Sequence, residues 1–221
     1  KKLVVYVKYL KGGESHTAFV WNRHITDCKA DGVKTALCDF LESSGIIRDN
    51  NYTPLMGLGT DGAAVMVGCR NGVGVKLKEH NNMMVQVHCV AHRLNLAASQ
   101  ASNGIGYLKD YHRYIQVLYR FFADSQVRYD RLRELQTLLH GKVKQVPEGT
   151  SVRWLSVETA VKMIFKHYDA IILALEDDKD KTGKAAGQWN FLATSVFLLV
   201  TALLVDVLTV IGILSLTFQK D

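Results

Sequence analysis

Residues 57–64 have the sequence GLGTDGAA, and this stretch decides the fold of the first part of the chain. A short apolar run leads into it: Leu55, Met56 and Leu58. The run predicts a strand that ends at Asp61-Gly62. A carboxylate held by rigid backbone at a strand end is how folds that cleave nucleic acids present a ligand to a divalent metal. Asp-Gly is also ordinary turn chemistry, in which Asp accepts backbone hydrogen bonds and Gly takes a positive φ. The residues alone favour the turn.

The segments before this stretch alternate between strand and helix signals. Two β-branched and aromatic runs, at 1–10 and 15–25, are joined by KGGE at 11–14, which predicts a β-hairpin. Apolar residues with helical spacing then predict an amphipathic helix over 33–44, closed by Gly45.

The alternation stops near residue 91. Strands are predicted at 54–60 and 83–89, and we expect all four predicted strands to form one sheet, with Asp61 at its end and the 33–44 helix on one face. From residue 91 onward Leu and Ala are abundant and no strand alternation remains. The sequence therefore predicts an α/β domain over 1–90, followed by an all-α region over 91–221.

Within the all-α region, residues 176–187 mix acids, lysines and glycines. This composition makes them the best linker candidate in the chain.

Two further motifs follow the first in a fixed order. Residues 89–96 have the sequence CVAHRLNL, with Cys-x-x-His spacing, and residues 153–156 have the sequence RWLS. With GLGTDGAA, these motifs resemble the hAT superfamily of DNA transposases, in the branch domesticated by hosts as zinc-finger-containing proteins. The resemblance covers nearly the whole chain and implies a partial ribonuclease-H-like core followed by an α-helical insertion.

The resemblance also implies which residues would be catalytic. The family binds two metal ions with two Asp and one Glu, and Asp61 matches the second Asp. The first Asp belongs on an opening strand before residue 1, and the Glu belongs beyond the helical insertion. We therefore expect Asp61 to be a relic ligand in an internal fragment without catalysis. No cofactor is expected for this chain. Mg²⁺ or Mn²⁺ would be expected only if the full-length protein completes the acidic triad.

His88, Cys89 and His92 invite comparison with a zinc site. On a helix, His88 and His92 would share a face at i, i+4. A structural zinc site needs four ligands, and no second pair lies at finger spacing. The residues favour a buried thiol and a hydrogen-bonded histidine. The resemblance places Cys89 and His92 near the active site, where they would brace the sheet edge beside Asp61, with no metal expected in the isolated chain.

Arg153 and Trp154 have two open interpretations. An indole beside a guanidinium can stack an unpaired base while the Arg binds phosphate. A core Trp at a helix start explains the pair equally well. The resemblance implies contact with transposon-end DNA and a flipped base, so both residues are candidate DNA-binding residues.

Composition agrees with a globular protein, and the positive charge permits binding to polyanions without demanding it. The chain has 221 residues, is 48% hydrophobic and has a formal charge of +6. Its four cysteines suit reduced thiols. Residues 102–153 contain nine Lys or Arg residues and five acids. The basic residues could form a solvated surface or a surface that binds the phosphates of a nucleic acid.

The function predicted from these observations is a non-catalytic, DNA- or chromatin-associated module of a longer nuclear protein, with exposed apolar helices for a protein partner. One alternative is an active two-metal transposase or nuclease, if the full-length protein supplies the other acids. Another is membrane anchoring through 191–218, an apolar stretch whose central Asp206 argues against it. A dinucleotide site at 57–62 is disfavoured, because it needs a long helix after the glycines.

Overall fold

The structure is a computed structural model that describes residues 1–147 and 154–219. It is mixed α/β with small sheets and is mostly helical. The chain divides into two compact units, a first built on Lys1–Arg93 and a second of Leu94–Thr217. Two separate clusters of buried apolar side chains form their cores.

The first unit begins with a β-hairpin, as predicted. Strand β1 (Lys2–Lys11) pairs antiparallel with β2 (Glu14–His24). Gly12 and Gly13 both have positive φ, at 62° and 86°, which a two-residue hairpin turn with the right twist requires. The register shifts between Val5 and Tyr6, so one extra residue of β2 forms a bulge there.

Helix α1 (Ala30–Ser43) packs on one face of this hairpin. Its buried residues have the predicted helical spacing: Val33, Leu37, Cys38 and Leu41. They share a cluster with Leu3 and Val5 of β1, and Phe40 stacks on Trp21 of β2 with ring centroids 4.9 Å apart. Gly45 has a φ of +72°, and its N–H donates to the carbonyl of Glu42, which ends the helix as predicted.

The remaining strands of the first unit form a parallel pair. Strand β3 (Gly57–Thr60) is followed by short helices α2 (Ala64–Val67) and α3 (Val73–Lys78), then by β4 (Val85–His88). Buried Asn81 donates from Nδ2 to the carbonyl oxygens of Tyr52 and Leu55, at 3.3 and 3.1 Å, so it ties the start of β4 to the segment before β3. The crossover has no long helix directly after the glycines, unlike a dinucleotide site.

The prediction of one four-stranded sheet is wrong. β1 pairs with β2 in one two-stranded sheet, and β3 pairs with β4 in another. Alternation along a segment indicates that it is a strand with one buried face, but does not say which edge meets which. Within the described residues, no strand lies between β1 and β3 to carry hydrogen bonds from one sheet to the other.

From residue 90 onward, the described residues form helices and the segments that connect them, and no strand is found among them. The helices are α4 (Val90–Asn103), α5 (Gly106–Ala123), α6 (Gln126–His140), α7 (Trp154–Lys166), α8 (Tyr168–Glu176), α9 (Gly183–Leu192) and α10 (Ser195–Thr217). Ser125 caps α6 by accepting a hydrogen bond from the N–H of Arg128, so α5 and α6 are separate helices. The core of the second unit includes Tyr111, Phe122 and Phe197, all fully buried.

The linker candidate at 176–187 contains the last residue of α8, a turn and the first half of α9. The turn is tied to α6 because Arg128 pairs with Asp178 at 2.9 Å and Arg131 pairs with Asp177 at 2.7 Å. Thr182 caps α9 through the N–H of Ala185, which is buried.

Helix α10 is long and apolar enough to cross a membrane by length and composition. One of its faces packs along α7 and is buried in the core: Phe197, Thr201, Leu204 and Leu208. The opposite face exposes large apolar side chains, with Leu199 at 70% and Leu203 at 59%.

Candidate functional site

The predicted site residues of the first unit meet at the carboxyl edge of the parallel pair. Thr60 of β3 is in register with His88 of β4, so Asp61 and Cys89 both come directly after paired residues. The N–H of Cys89 donates to the carbonyl of Thr60 at 2.8 Å and extends the ladder to this edge. In parallel sheets, the carboxyl ends of strands are where ligands commonly bind.

Asp61 forms the turn that the residues alone favoured. Its Oδ1 accepts a hydrogen bond from the N–H of Ala63 at 3.1 Å, and the side chain is exposed. Gly62 has a φ of +82°, and a Cβ there would collide with the ring of His88. Glycine is therefore required at 62 for its backbone conformation and for the clearance of His88.

His88 holds this edge together. Its Nε2 lies 3.1 Å from the carbonyl oxygen of Asp61, which accepts a hydrogen bond, so Nε2 carries the proton. The ring of His92, the third residue of α4, lies 5.6 Å from the ring of His88 between centroids. The edge thus presents one carboxylate and two imidazoles. No group of three His, Cys, Asp or Glu side chains that could hold a metal ion occurs in residues 1–147 and 154–219.

Cys89 differs from its prediction. Its thiol is exposed, so the prediction of a buried thiol is wrong. The residue contacts its neighbours through its backbone: the N–H donates to Thr60, and the carbonyl accepts from the N–H of Arg93 at 3.0 Å. β4 ends at His88 and α4 begins at Val90, so Cys89 lies in the connection between them and not on the strand predicted over 83–89. His92 is half-buried beside it.

The structure does not describe the side chains of the predicted DNA-binding pair, Arg153 and Trp154. Arg153 lies outside the described residues. Trp154 is the first residue of α7, and its indole also lies outside them. Both interpretations of this pair stay predictions.

The basic residues of α5 and α6 are largely engaged by acids. Arg128 pairs with Asp178, and its guanidinium lies 4.2 Å from the centre of the Phe121 ring. Arg131 pairs with Asp177 and Glu134, and its hydrogen bonds with those acids raise its pKa. Arginines neutralised by carboxylates have less charge to offer phosphates, which favours the solvated-face interpretation.

A second cluster of ionisable groups, missed from the sequence, lies between α6, α7 and α8. His167 is fully buried, and neither ring nitrogen has a hydrogen-bond partner within the described residues. The ring of His140 meets it edge-on at 4.8 Å, and Nε2 of His140 lies 2.7 Å from Oδ1 of Asp169. Burial, and then the nearby His140, lower the pKa of His167. Burial acts to raise the pKa of Asp169, but hydrogen bonds from His140 and the Ala170 N–H outweigh it and lower the pKa.

No protein-family model matches the chain, and no solved structure is significantly similar to it.

Proposed function

We propose that this chain is a non-catalytic, DNA-associated module of a longer nuclear protein, derived from an hAT transposase and built on a partial ribonuclease-H-like core followed by helices. The observation that carries the proposal is the order of elements around Asp61. An antiparallel hairpin, a helix packed on it and two parallel strands follow one another, and the carboxylate stands at the carboxyl end of the first parallel strand.

The division into two small sheets is compatible with such a core. The resemblance requires one further strand, the one that carries the first Asp. Placed between β1 and β3, it would hydrogen-bond to both and unite them in one sheet. β1 has β2 on one side and β3 has β4 on one side, so each strand has a second edge for such pairing.

The chemistry of the Asp61 edge favours binding over cleavage. A two-metal site holds its ions about 4 Å apart between several carboxylates. Here Asp61 is the acid after β3, and one of its oxygens already accepts the N–H of Ala63. A longer protein that supplied two more acids would restore the alternative, an active two-metal enzyme.

The charge of the chain favours a polyanionic partner. The formal net charge is +6, and the sequence pI is about 9.1. Residues 1–24 contribute strongly, with four lysines and Arg23 against the single acid Glu14. Such a surface attracts DNA without sequence preference and loses affinity as salt rises.

Two assays on the full chain test the proposal. In a mobility-shift assay with duplex DNA, we expect binding at 50 mM salt that weakens steeply toward 200 mM. With supercoiled plasmid and Mg²⁺ or Mn²⁺, we expect no nicking by the chain or by its Asp61→Ala variant. Absence of binding at 50 mM salt would refute association with duplex DNA. Nicking that disappears in Asp61→Ala would instead establish the enzyme.

A further inference from the structure

The hairpin has one face turned away from the core of the first unit. On β1, Leu3 and Val5 point to the core, so the alternate residues point away from it. We call the outward side the outer hairpin face. It consists of Val4, Tyr6, Lys8 and Leu10 from β1, with Thr17 and Phe19 from β2.

An aromatic pair lies at the centre of the outer hairpin face. Tyr6 is opposite Phe19 in the register, and the two rings meet edge-on with centroids 5.6 Å apart. The side chains remain 61% and 58% exposed. Rings this exposed, and held by a paired backbone, are a rigid platform that an incoming flat group can stack on.

Lysines lie along the strand that carries Tyr6. Lys8 is two residues along β1 from Tyr6, on the same face and about 7 Å away along the strand. Lys2 and Lys11 are at the two ends of the strand, and Glu14 at the turn is the single acid within residues 1–24. A nucleic acid strand satisfies both features, because its bases stack on aromatic rings while its phosphates pair with lysines.

We propose that the outer hairpin face binds single-stranded nucleic acid, with Tyr6 and Phe19 stacking on bases and Lys8 contacting phosphate. Stacking on Tyr6 and Phe19 requires unpaired bases, because in a duplex the flat faces of each base are covered by the neighbouring base pairs. The inference rests on the proposed association with DNA and names a surface for it. Stacking and phosphate contacts do not read sequence, so we expect little preference among pyrimidine runs of DNA and RNA.

The test measures anisotropy of fluorescein-labelled dT20 and U20, and of a duplex, with the full chain and its variants. We expect at least roughly tenfold weaker dT20 binding for the double variant Tyr6→Ser/Phe19→Ser. Tyr9→Ser is the matched control, because Tyr9 is on the same strand but belongs to the other face, where it stacks on His16. Lys8→Gln should lower the slope of log affinity against log salt by about 0.7.

A second measurement needs no substitution. A dT20 containing 5-iodouracil, irradiated in complex with the unaltered chain, should form adducts on Tyr6 or Phe19 that mass spectrometry can map. Adducts confined to other segments, or equal loss of binding in Tyr9→Ser and the double variant, would overturn the inference.

The two proposals fail in different ways. If the double variant binds duplex DNA as well as the unaltered chain does, and the unaltered chain binds neither dT20 nor U20, the hairpin site is refuted and the proposed function is not. Binding of single strands alone, lost in the double variant, upholds the hairpin site and refutes duplex association. If neither form binds, both proposals are wrong.

Discussion

At the scale of single residues, His167 and Gly62 are the positions where the structure leaves least freedom. His167 is a buried imidazole whose ring nitrogens have no hydrogen-bond partner in the described part of the chain. Gly62 combines a left-handed backbone with a ring packed where its Cβ would be. Protonation would place a charge on the buried ring of His167, and a Cβ added at position 62 would overlap the ring of His88.

We predict that His167 makes the protein less stable in mild acid. Its pKa is lowered first by burial and then by His140, Lys166 and Lys144, while Asp169 acts in the opposite direction. The unfolded chain therefore binds this proton more readily, and the free energy of unfolding falls as the pH drops from about 6.5 through the lowered folded pKa. Unfolding midpoints measured between pH 5 and 8 should show this loss.

Two variants isolate the effect of His167. His167→Leu should flatten the pH dependence of the midpoint between about pH 5 and 6.5, because the titrating group is gone. His24→Gln removes an exposed imidazole and should keep the dependence of the unaltered chain. An unchanged pH profile in His167→Leu would contradict the assignment.

We predict that Gly62→Ala destabilises the first unit by ~1–3 kcal/mol, because alanine is strained at a φ of +82° and its Cβ meets the ring of His88. Urea denaturation gives the free energy of unfolding. Gly187→Ala in α9 is the control, since a Cβ there has open space and an ordinary helical backbone. The control should gain up to ~1 kcal/mol. Equal effects of the two substitutions would show that the clash at 62 is absent.

At the scale of elements, α10 carries two different faces. The side toward α7 is buried and includes a hydrogen bond of 2.9 Å between Thr201 Oγ1 and the hydroxyl of Tyr111. The other side exposes Leu199, Leu203 and Val210, with Asp206 among them. A helix that crossed a bilayer would place Asp206 near its centre, at a cost of ~3 kcal/mol. We therefore expect a helix that packs against protein.

The two faces should respond differently to substitution. Leu204→Ala and Leu208→Ala remove buried side chains and should each lower the free energy of unfolding by ~2–5 kcal/mol. Leu199→Gln and Leu203→Gln change exposed side chains and should stay within about 0.5 kcal/mol, with higher solubility. Thermal unfolding and sedimentation measure both effects. If the full-length protein stays in membranes after carbonate washing, α10 is an anchor.

At the scale of the whole molecule, the buried apolar side chains form two separate hydrophobic cores. Val73, Leu77 and Met84 belong to the first cluster, and Ile115 and Ile164 belong to the second. No buried residue is shared between the two clusters in the described residues. Each core is thus the main source of stability for its own unit.

We predict that the two cores can be weakened separately. Leu77→Ala should speed amide hydrogen exchange across 1–93, and Ile164→Ala across 94–217, each with a loss of ~2–5 kcal/mol in its own unit. Exchange followed by mass spectrometry resolves the units. Each variant serves as the control for the other, and uniform acceleration across the chain in either one would indicate a single cooperative structure.

Sequence by itself determined the hairpin, the helix α1 and the change to helices near residue 91, but it did not predict the short helices α2 and α3. The hairpin turn at Gly12-Gly13 and the end of α1 at Gly45 were predictable, because each depends on backbone preferences of neighbouring residues. The turn at Asp61 was one of the two interpretations that the sequence offered, and the other was a metal ligand. Burial on α1 followed from its apolar spacing, which is a local pattern too.

Only the tertiary structure decided how distant elements meet. It separated the strands into two pairs, exposed Cys89, joined Arg128 and Arg131 to acids about fifty residues away, and buried His167 against His140. Strand edges and ion pairs depend on groups far apart in the chain, and periodicity carries no information about which partner each will find. The same reason explains why the outer hairpin face emerged only when the register showed Tyr6 opposite Phe19 and the core on the other side.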